Sequence, residues 1–158
     1  MAFRFVRQKG SMTATPVFIT VYGSGTIPRG SVVEFSRINN RVEPASKNTT
    51  YTTIFGISLD YIEGATQDAL ATKIRVIPFI PGQLWEADTA AAASTAMLFI
   101  KQRLSDRNTL DNSITDINTA SGIFISYMIS PNATNKVIGE FIRSSVGWGG
   151  ASSGSGYF

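Results

Sequence analysis

Hydrophobic and polar residues alternate along several short segments of the chain, which is the pattern of β-strands with one buried face. In the clearest case, every second residue of the segment 55–61 is apolar: Phe55, Ile57, Leu59 and Tyr61. This alternation predicts a strand whose apolar face includes Tyr61. In 73–77, cations alternate with aliphatic residues up to Pro78. We expect Pro78 to end that strand's pairing, because proline has no N–H to donate.

Other segments rich in β-branched and aromatic residues also predict strands. They are 16–22, 31–35, 42–44, 122–130 and 136–142. Residues 122–130 are apolar on both faces, which is typical of a central strand or of a strand at an interface. A short turn over 131–135 separates them from 136–142, so this pair predicts an antiparallel hairpin.

The segment 88–104 fits both helix and strand. Asp88 or Thr89 is a suitable N-cap, and the alanines at 90–93 have high helix propensity. We expect a short helix or turn over the alanines, followed by extended chain through 100–104. Many short strands between Gly, Pro and Asn turns predict an all-β fold, a small antiparallel barrel or sandwich with at most one or two short helices.

The two ends of the chain differ from the middle in composition. Residues 1–15 are a basic segment, and 147–158 are rich in Gly and Ser, a composition typical of flexible coil. We interpret both as arms that a neighbouring surface would hold, flanking a single domain at 16–146. The alternative is that the arms fold back on their own domain. Two such arms on a compact body indicate a component of an assembly.

Overall charge restricts the partners that the chain would bind. Charged residues make up 16% of the 158 residues and the net charge is +3, whereas about 25% of a typical domain is charged. No run of five like charges occurs, which argues against nucleic-acid binding. No stretch approaches the roughly 18 apolar residues of a membrane span. The N-terminal segment lacks the apolar core of a signal peptide, so we expect synthesis in the cytoplasm.

The chain contains neither histidine nor cysteine. Histidine-based triads, thiol nucleophiles and His- or Cys-ligated metal sites are therefore excluded within one subunit. Two carboxylate pairs are the remaining candidates for a glycosidase-like enzyme: Glu86 with Asp88, and Asp60 with Glu63. Gly23-Ser24-Gly25 lacks the third glycine of a dinucleotide fingerprint. We therefore predict that the protein is not an enzyme and needs no metal or cofactor.

The order of five segments resembles one known family. They read RGSVVEF at 29–35, RVEPAS at 41–46, FGIS at 55–58, IPFIPGQLWEAD at 77–88 and VIGEF at 137–141. Together they resemble the capsid decoration, or cement, proteins of tailed bacteriophages, over roughly residues 28–142. The resemblance implies a small β-barrel of the β-tulip type without catalytic residues. The arms are not part of the shared pattern.

The resemblance also implies partners and a location. Such a protein would sit on the outer capsid surface as a homotrimer, contacting the major capsid protein and neighbouring decoration subunits. Aromatic residues and Arg would then be interface candidates, since they dominate interface energetics, and the cations of the N-terminal arm would pair with capsid acids. The candidates are Phe3, Arg4, Phe5, Arg7, Lys9, Trp85, Trp148, Tyr157 and Phe158. For Trp85 the sequence leaves open whether it is a contact point or a barrel cap.

A carbohydrate-binding module of a virion fibre or lectin-like protein is the main alternative function. Four aromatic residues are candidates for stacking on sugars: Tyr51, Tyr61, Trp85 and Tyr127. A lectin would place several of them together on one exposed face, whereas Tyr61 is predicted to lie on the apolar face of its strand.

Overall fold

The computed structural model describes residues 3–8, 16–20, 25–36, 41–65, 73–113 and 121–143. These residues form an all-β fold of fourteen strands and one short 3-10 turn, as predicted. The strands are β1 (Phe3–Gln8), β2 (Val17–Thr20), β3 (Gly25–Ile27), β4 (Val32–Ser36), β5 (Arg41–Pro44), β6 (Ile54–Ser58), β7 (Ile62–Ala65), β8 (Lys73–Pro78), β9 (Gln83–Thr89), β10 (Lys101–Gln102), β11 (Leu104–Asp106), β12 (Thr109–Leu110), β13 (Phe124–Ile129) and β14 (Lys136–Phe141). The 3-10 turn is Thr95–Met97.

The larger sheet has seven strands and curves into a nearly closed, barrel-like surface. Its order is β10-β13-β14-β9-β12-β11, and β1 also pairs with β9. β9 therefore lies at the centre: β14 pairs with one side of it, while β1 and β12 share the other. β13 and β14 form the predicted antiparallel hairpin, which lies between β10 and β9 in this sheet.

The smaller sheet has five strands in the order β2-β8-β6-β4-β5, and β3 and β7 form a separate two-stranded sheet. One buried cluster lies between the two large sheets and includes Val32 and Ile54 from the smaller sheet and Ala87 and Val137 from the larger. A second cluster lies along β3, β4, β5, β6 and β8, with Ile62 of β7 packed against it. β6 is consequently buried along its whole length.

Two glycines permit the close approach of strands in these sheets. A Cβ atom on Gly139 of β14 would lie 1.9 Å from the Ile125 carbonyl oxygen. A Cβ atom on Gly56 of β6 would lie 2.2 Å from the Ile77 carbonyl oxygen. Any larger residue at either position would push neighbouring backbone aside, so both sheets require glycine there.

The strand predicted over 55–61 ends earlier than expected. β6 stops at Ser58, and Tyr61 lies outside any strand with 59% of its surface exposed, so its predicted place on an apolar face is wrong. The expectation of a single buried face is also wrong for this strand, because β6 lies between two packed layers and is buried on both sides. Pro78 still pairs with Gly56, and Phe79 donates the next hydrogen bond to Phe55.

The segment 88–104 begins and ends in strands, with irregular chain and one short turn between them. β9 continues through Asp88 to Thr89, and only Thr95–Met97, beyond the alanines, form a helical turn. The backbone N–H groups of Ala90 and Ala93 donate instead to the Leu110 and Thr134 carbonyls, and these long-range bonds outweigh the helix propensity of the alanines. The extended chain expected over 100–104 is present as β10 and the start of β11.

Residues 3–8 of the predicted N-terminal arm form β1, a strand of the protein's own larger sheet. This part of the arm therefore follows the alternative reading, in which the arm folds back on its own domain. The physical reason is Phe3, whose side chain is fully buried in the main core. Residues 1–2 and 9–15 of that segment, and the whole of 147–158, lie outside the described residues.

Candidate binding surfaces

Phe3 and Trp85, two of the predicted interface residues, are buried in the core. Phe3 is 0% exposed and Trp85 2% exposed. Their ring centroids lie 5.2 and 6.3 Å from that of Phe141. In this subunit the two residues hold β1 and β9 onto the core and present no surface to a partner. For Phe3 the interface prediction is therefore wrong in this subunit, and for Trp85 the structure places the ring inside the protein, one of the two places that the sequence left open. Composition alone does not distinguish a buried aromatic residue from one at an interface.

Arg4 and Glu86 form a polar site that connects β1 and β9 with the turn after β13. They are opposite each other on β1 and β9, and Arg4 Nη2 donates to Glu86 Oε2 at 3.2 Å. Ser130 Oγ donates to the same oxygen at 2.7 Å, and Asn132 Nδ2 at 3.0 Å. One carboxylate therefore ties the N-terminal strand to the turn between β13 and β14.

The environment of Glu86 keeps it ionised although it is only 4% exposed. Burial alone would raise its pKa, but the hydrogen bonds from Ser130, Asn132 and Arg4 together outweigh burial and hold the pKa below the usual range. A carboxyl group with a lowered pKa is a poor general acid at neutral pH. This geometry suits a structural anchor better than the acid of a glycosidase.

The other carboxylates of the predicted pairs also have cationic or exposed surroundings. Asp88 is paired with Lys136 across β9 and β14. Asp60 is bound by the Arg75 guanidinium and backbone N–H, and these hydrogen bonds lower its pKa. Glu63 is exposed on β7. Among the described residues, no three His, Cys, Asp or Glu side chains are grouped so that they could hold a metal ion.

The basic edge, which we define as Arg4, Phe5, Val6 and Arg7 of β1, is the first candidate binding surface. Phe5 is 46% and Val6 39% exposed, and the Arg4 side chain is 56% exposed despite its ion pair. β9 is the only described strand that pairs with β1. The other edge of β1 thus offers backbone groups to a further strand, beside exposed apolar and cationic side chains.

The outer patch, which we define as Phe99, Ile125, Tyr127, Met128 and Ile138, is the second surface. Phe99 is 71% and Met128 52% exposed, and the rings of Phe99 and Tyr127 lie 6.1 Å apart. From the sequence, Tyr127 is a candidate only for stacking on sugars, and no pattern in the sequence predicts the patch as a whole.

The backbone at Phe99 is strained. Its φ is +62°, the only positive value at a non-glycine residue in the described part of the chain. Bulky residues rarely adopt this conformation, which costs about 1 kcal/mol or more. A hydrogen bond from the Phe99 N–H to the Ser126 carbonyl, at 2.7 Å, holds the residue in place. The strain keeps an aromatic ring in solvent, and no local sequence signal predicts it.

The remaining predicted interface residues, Lys9, Trp148, Tyr157 and Phe158, lie outside the described residues. Within the described ranges, none of the helical structure is long and apolar enough to cross a membrane. Comparisons of the chain with models of protein families, with curated proteins and with solved structures found no match.

Proposed function

We propose that this protein is a structural component of a tailed-phage virion that binds the outer surface of the assembled capsid and stabilises contacts between capsomers. The proposal combines the resemblance of the five segments with the basic edge. The edge is the observation that carries it, because it joins a strand edge that no other described strand pairs with, exposed apolar side chains and cations in one place.

The chemistry of the basic edge selects an acidic partner. Arg4 and Arg7 are on β1, and the first acidic residue of the chain is Glu34. The backbone of Arg7 pairs with Leu84, but its side chain is exposed and makes no hydrogen bond or ion pair with other described residues. Positive charge beside Phe5 and Val6 favours a capsid surface that presents carboxylates around an apolar centre.

Stabilisation would follow from selective binding. A protein that binds the assembled shell but not the free capsid subunit lowers the free energy of the shell alone, so its binding opposes rupture. No group on this protein needs to react. The anchored Glu86 contributes by fixing Arg4, and with it β1, on the domain.

Cosedimentation of the full-length protein with capsids tests the proposal. The capsids are the expanded, DNA-filled shells of the phage that encodes the chain, stripped of this protein, and immature procapsids are the control. The deciding variant is Arg7→Glu, with Lys47→Glu as a matched control, since Lys47 is an exposed cation on a turn far along the chain. Deletion of 1–10 is unsuitable, because it would remove Phe3 from the core.

We expect saturable binding to expanded shells only, weakened at least tenfold by Arg7→Glu and unchanged by Lys47→Glu. Absence of binding to either shell would contradict the proposal. Equal weakening by both variants would mean that the basic edge is not the contact surface.

Carbohydrate binding is the second candidate, and the adjacent rings of Phe99 and Tyr127 favour it. Trp85 is buried and cannot stack on a sugar, which removes one of the four predicted aromatics. Binding of the full-length protein to a glycan array, lost on Tyr127→Ala, would support this function in place of the capsid role.

A further inference from the structure

The outer patch lies on a sheet face that the register defines. Phe124 and Ser126 are buried, so Ile125 between them points to the opposite, outer face of β13. By the same alternation Ile138, between buried Val137 and Gly139, points outward from β14. Ile138 is opposite Met128, which is 52% exposed. The half-buried Ile125 and Ile138 and the exposed Met128 therefore share one face of the larger sheet.

Two charges of opposite sign stand in one row across this face. Lys101 of β10 is opposite Ile125 of β13, and Ile125 is opposite Glu140 of β14. Directly opposed residues in antiparallel strands project to the same side. The row therefore reads cation, aliphatic residue, anion, with the aliphatic residue in the middle. The carboxylate also lies near Tyr127, where its charge adds to burial in raising the tyrosine pKa.

Such a row is complementary to itself. If a second copy is turned by a twofold axis parallel to the strands and placed face to face, Ile125 meets Ile125, while Lys101 of each copy meets Glu140 of the other. An isologous interface needs this kind of self-complementarity. The basic edge does not have it, since β1 of a second copy would bring cations against cations.

We propose that the outer patch pairs two copies of this chain about a twofold axis, with Phe99 as the anchor at its margin. The inference does not rest on the proposed capsid function, because it concerns other residues and a different partner. Arg4 of the basic edge lies on the same sheet face, two strands away from Ile138. The strained backbone at Phe99 fits this role: it holds an aromatic ring in solvent where a second subunit can cover it. Aromatic residues and Met are enriched at such interfaces, and charges at the rim set register.

The assembly state of the full-length protein tests the pairing, by sedimentation equilibrium over a range of concentrations. We expect a reversible dimer with twice the mass of one chain. Phe99→Asn removes the ring but suits a positive φ, because asparagine tolerates the left-handed region. It should leave the thermal unfolding midpoint unchanged or higher and raise the dimer dissociation constant at least tenfold. Tyr61→Ala, at an exposed aromatic elsewhere, is the control.

Charge exchange tests the register. Lys101→Glu alone places two acids against two acids in the homodimer, and Glu140→Lys alone places two bases against two bases, so each should be mainly monomeric. An equimolar mixture of the two variants restores opposite charges and should form a heterodimer. The double variant carrying both changes should dimerise again.

Several outcomes would overturn the pairing. They are a monomer at all concentrations, a dimer that none of these variants weakens, and the trimer that the family resemblance implies. Marked destabilisation of the fold by Phe99→Asn would also overturn it, because the ring would then be covered by its own chain. Capsid cosedimentation has a separate readout, so either idea can fail without the other.

Discussion

Glu86 in the larger sheet and Glu34 in the smaller sheet are both buried to some extent, yet their pKa values shift in opposite directions. Burial raises the pKa of Glu34, and hydrogen bonds from Thr53 and Thr49 do not compensate for it. Thr53 Oγ1 donates to Glu34 at 2.9 Å, but the residue directly opposite on β5 is another acid, Glu43.

The difference between the two glutamates lies in their donors. Glu86 receives hydrogen bonds from three residues on two elements, and one donor is a guanidinium, so its charge is stabilised and holds distant parts of the chain together. Glu34 faces a like charge. The buried carboxylate of Glu86 therefore stabilises the position of β1, the strand that carries the basic edge. The carboxylate charge of Glu34, in contrast, is unfavourable in the smaller sheet.

The largest expected effect follows from removing the Glu86 carboxylate. Glu86→Ala leaves Ser130, Asn132 and Arg4 without their acceptor and should lower the free energy of unfolding by about 3 kcal/mol. Denaturant unfolding at neutral pH measures it. Glu34→Ala is the matched variant, and equal losses at the two sites would contradict the comparison.

Removal of one neutral donor tests how much of that anchor depends on the hydrogen bonds. Ser130 is 4% exposed and donates to Glu86 at 2.7 Å. Ser130→Ala should therefore lower the free energy of unfolding by about 1.5 kcal/mol, since the acceptor is charged. Ser105→Ala, at an exposed serine of β11, should change it by much less. A negligible effect of Ser130→Ala would mean that the carboxylate is satisfied without it.

Removal of the cation should have a smaller effect. Arg4→Ala should cost no more than about 1 kcal/mol, because the Arg4 side chain is 56% exposed and solvent screens its charge. The loss should shrink at high salt. Unfolding measured at low and high salt separates this effect from lost packing, which would not depend on salt.

The smallest expected effect is an increase in stability. Glu34→Gln removes one of two opposed negative charges and should raise the free energy of unfolding by about 0.5 kcal/mol at neutral pH. The folded-state pKa of Glu34 lies above its ordinary value of 4.5, so the wild type recovers this stability as pH falls. The gain should therefore vanish below about pH 4.5. A gain that persists in acid would contradict the assignment.

Local sequence predicted the elements whose stability is local. The alternation in 73–77 identified β8, and the two apolar segments after residue 121 identified the β13–β14 hairpin. These inferences need only periodicity and turn chemistry.

The partners of Glu86 could not be predicted in this way. Arg4 is 82 residues away along the chain, Ser130 44 and Asn132 46, so only the sheet topology brings them together. The burial of Phe3 depends on the same topology. Phe99 is harder still, because its positive φ is imposed by the contact with Ser126 against its own conformational preference.

NMR titration of the side-chain carboxyl carbons of Glu86 and Glu34 tests the comparison most directly. We predict that Glu86 titrates below the ordinary glutamate value of 4.5 and Glu34 above it. The contribution of the Glu86 carboxylate to stability should be lost as the pH falls from 4.5 through the folded-state pKa of Glu86. Equal pKa values, or the reverse order, would contradict the account of Glu86 as the charged anchor of β1.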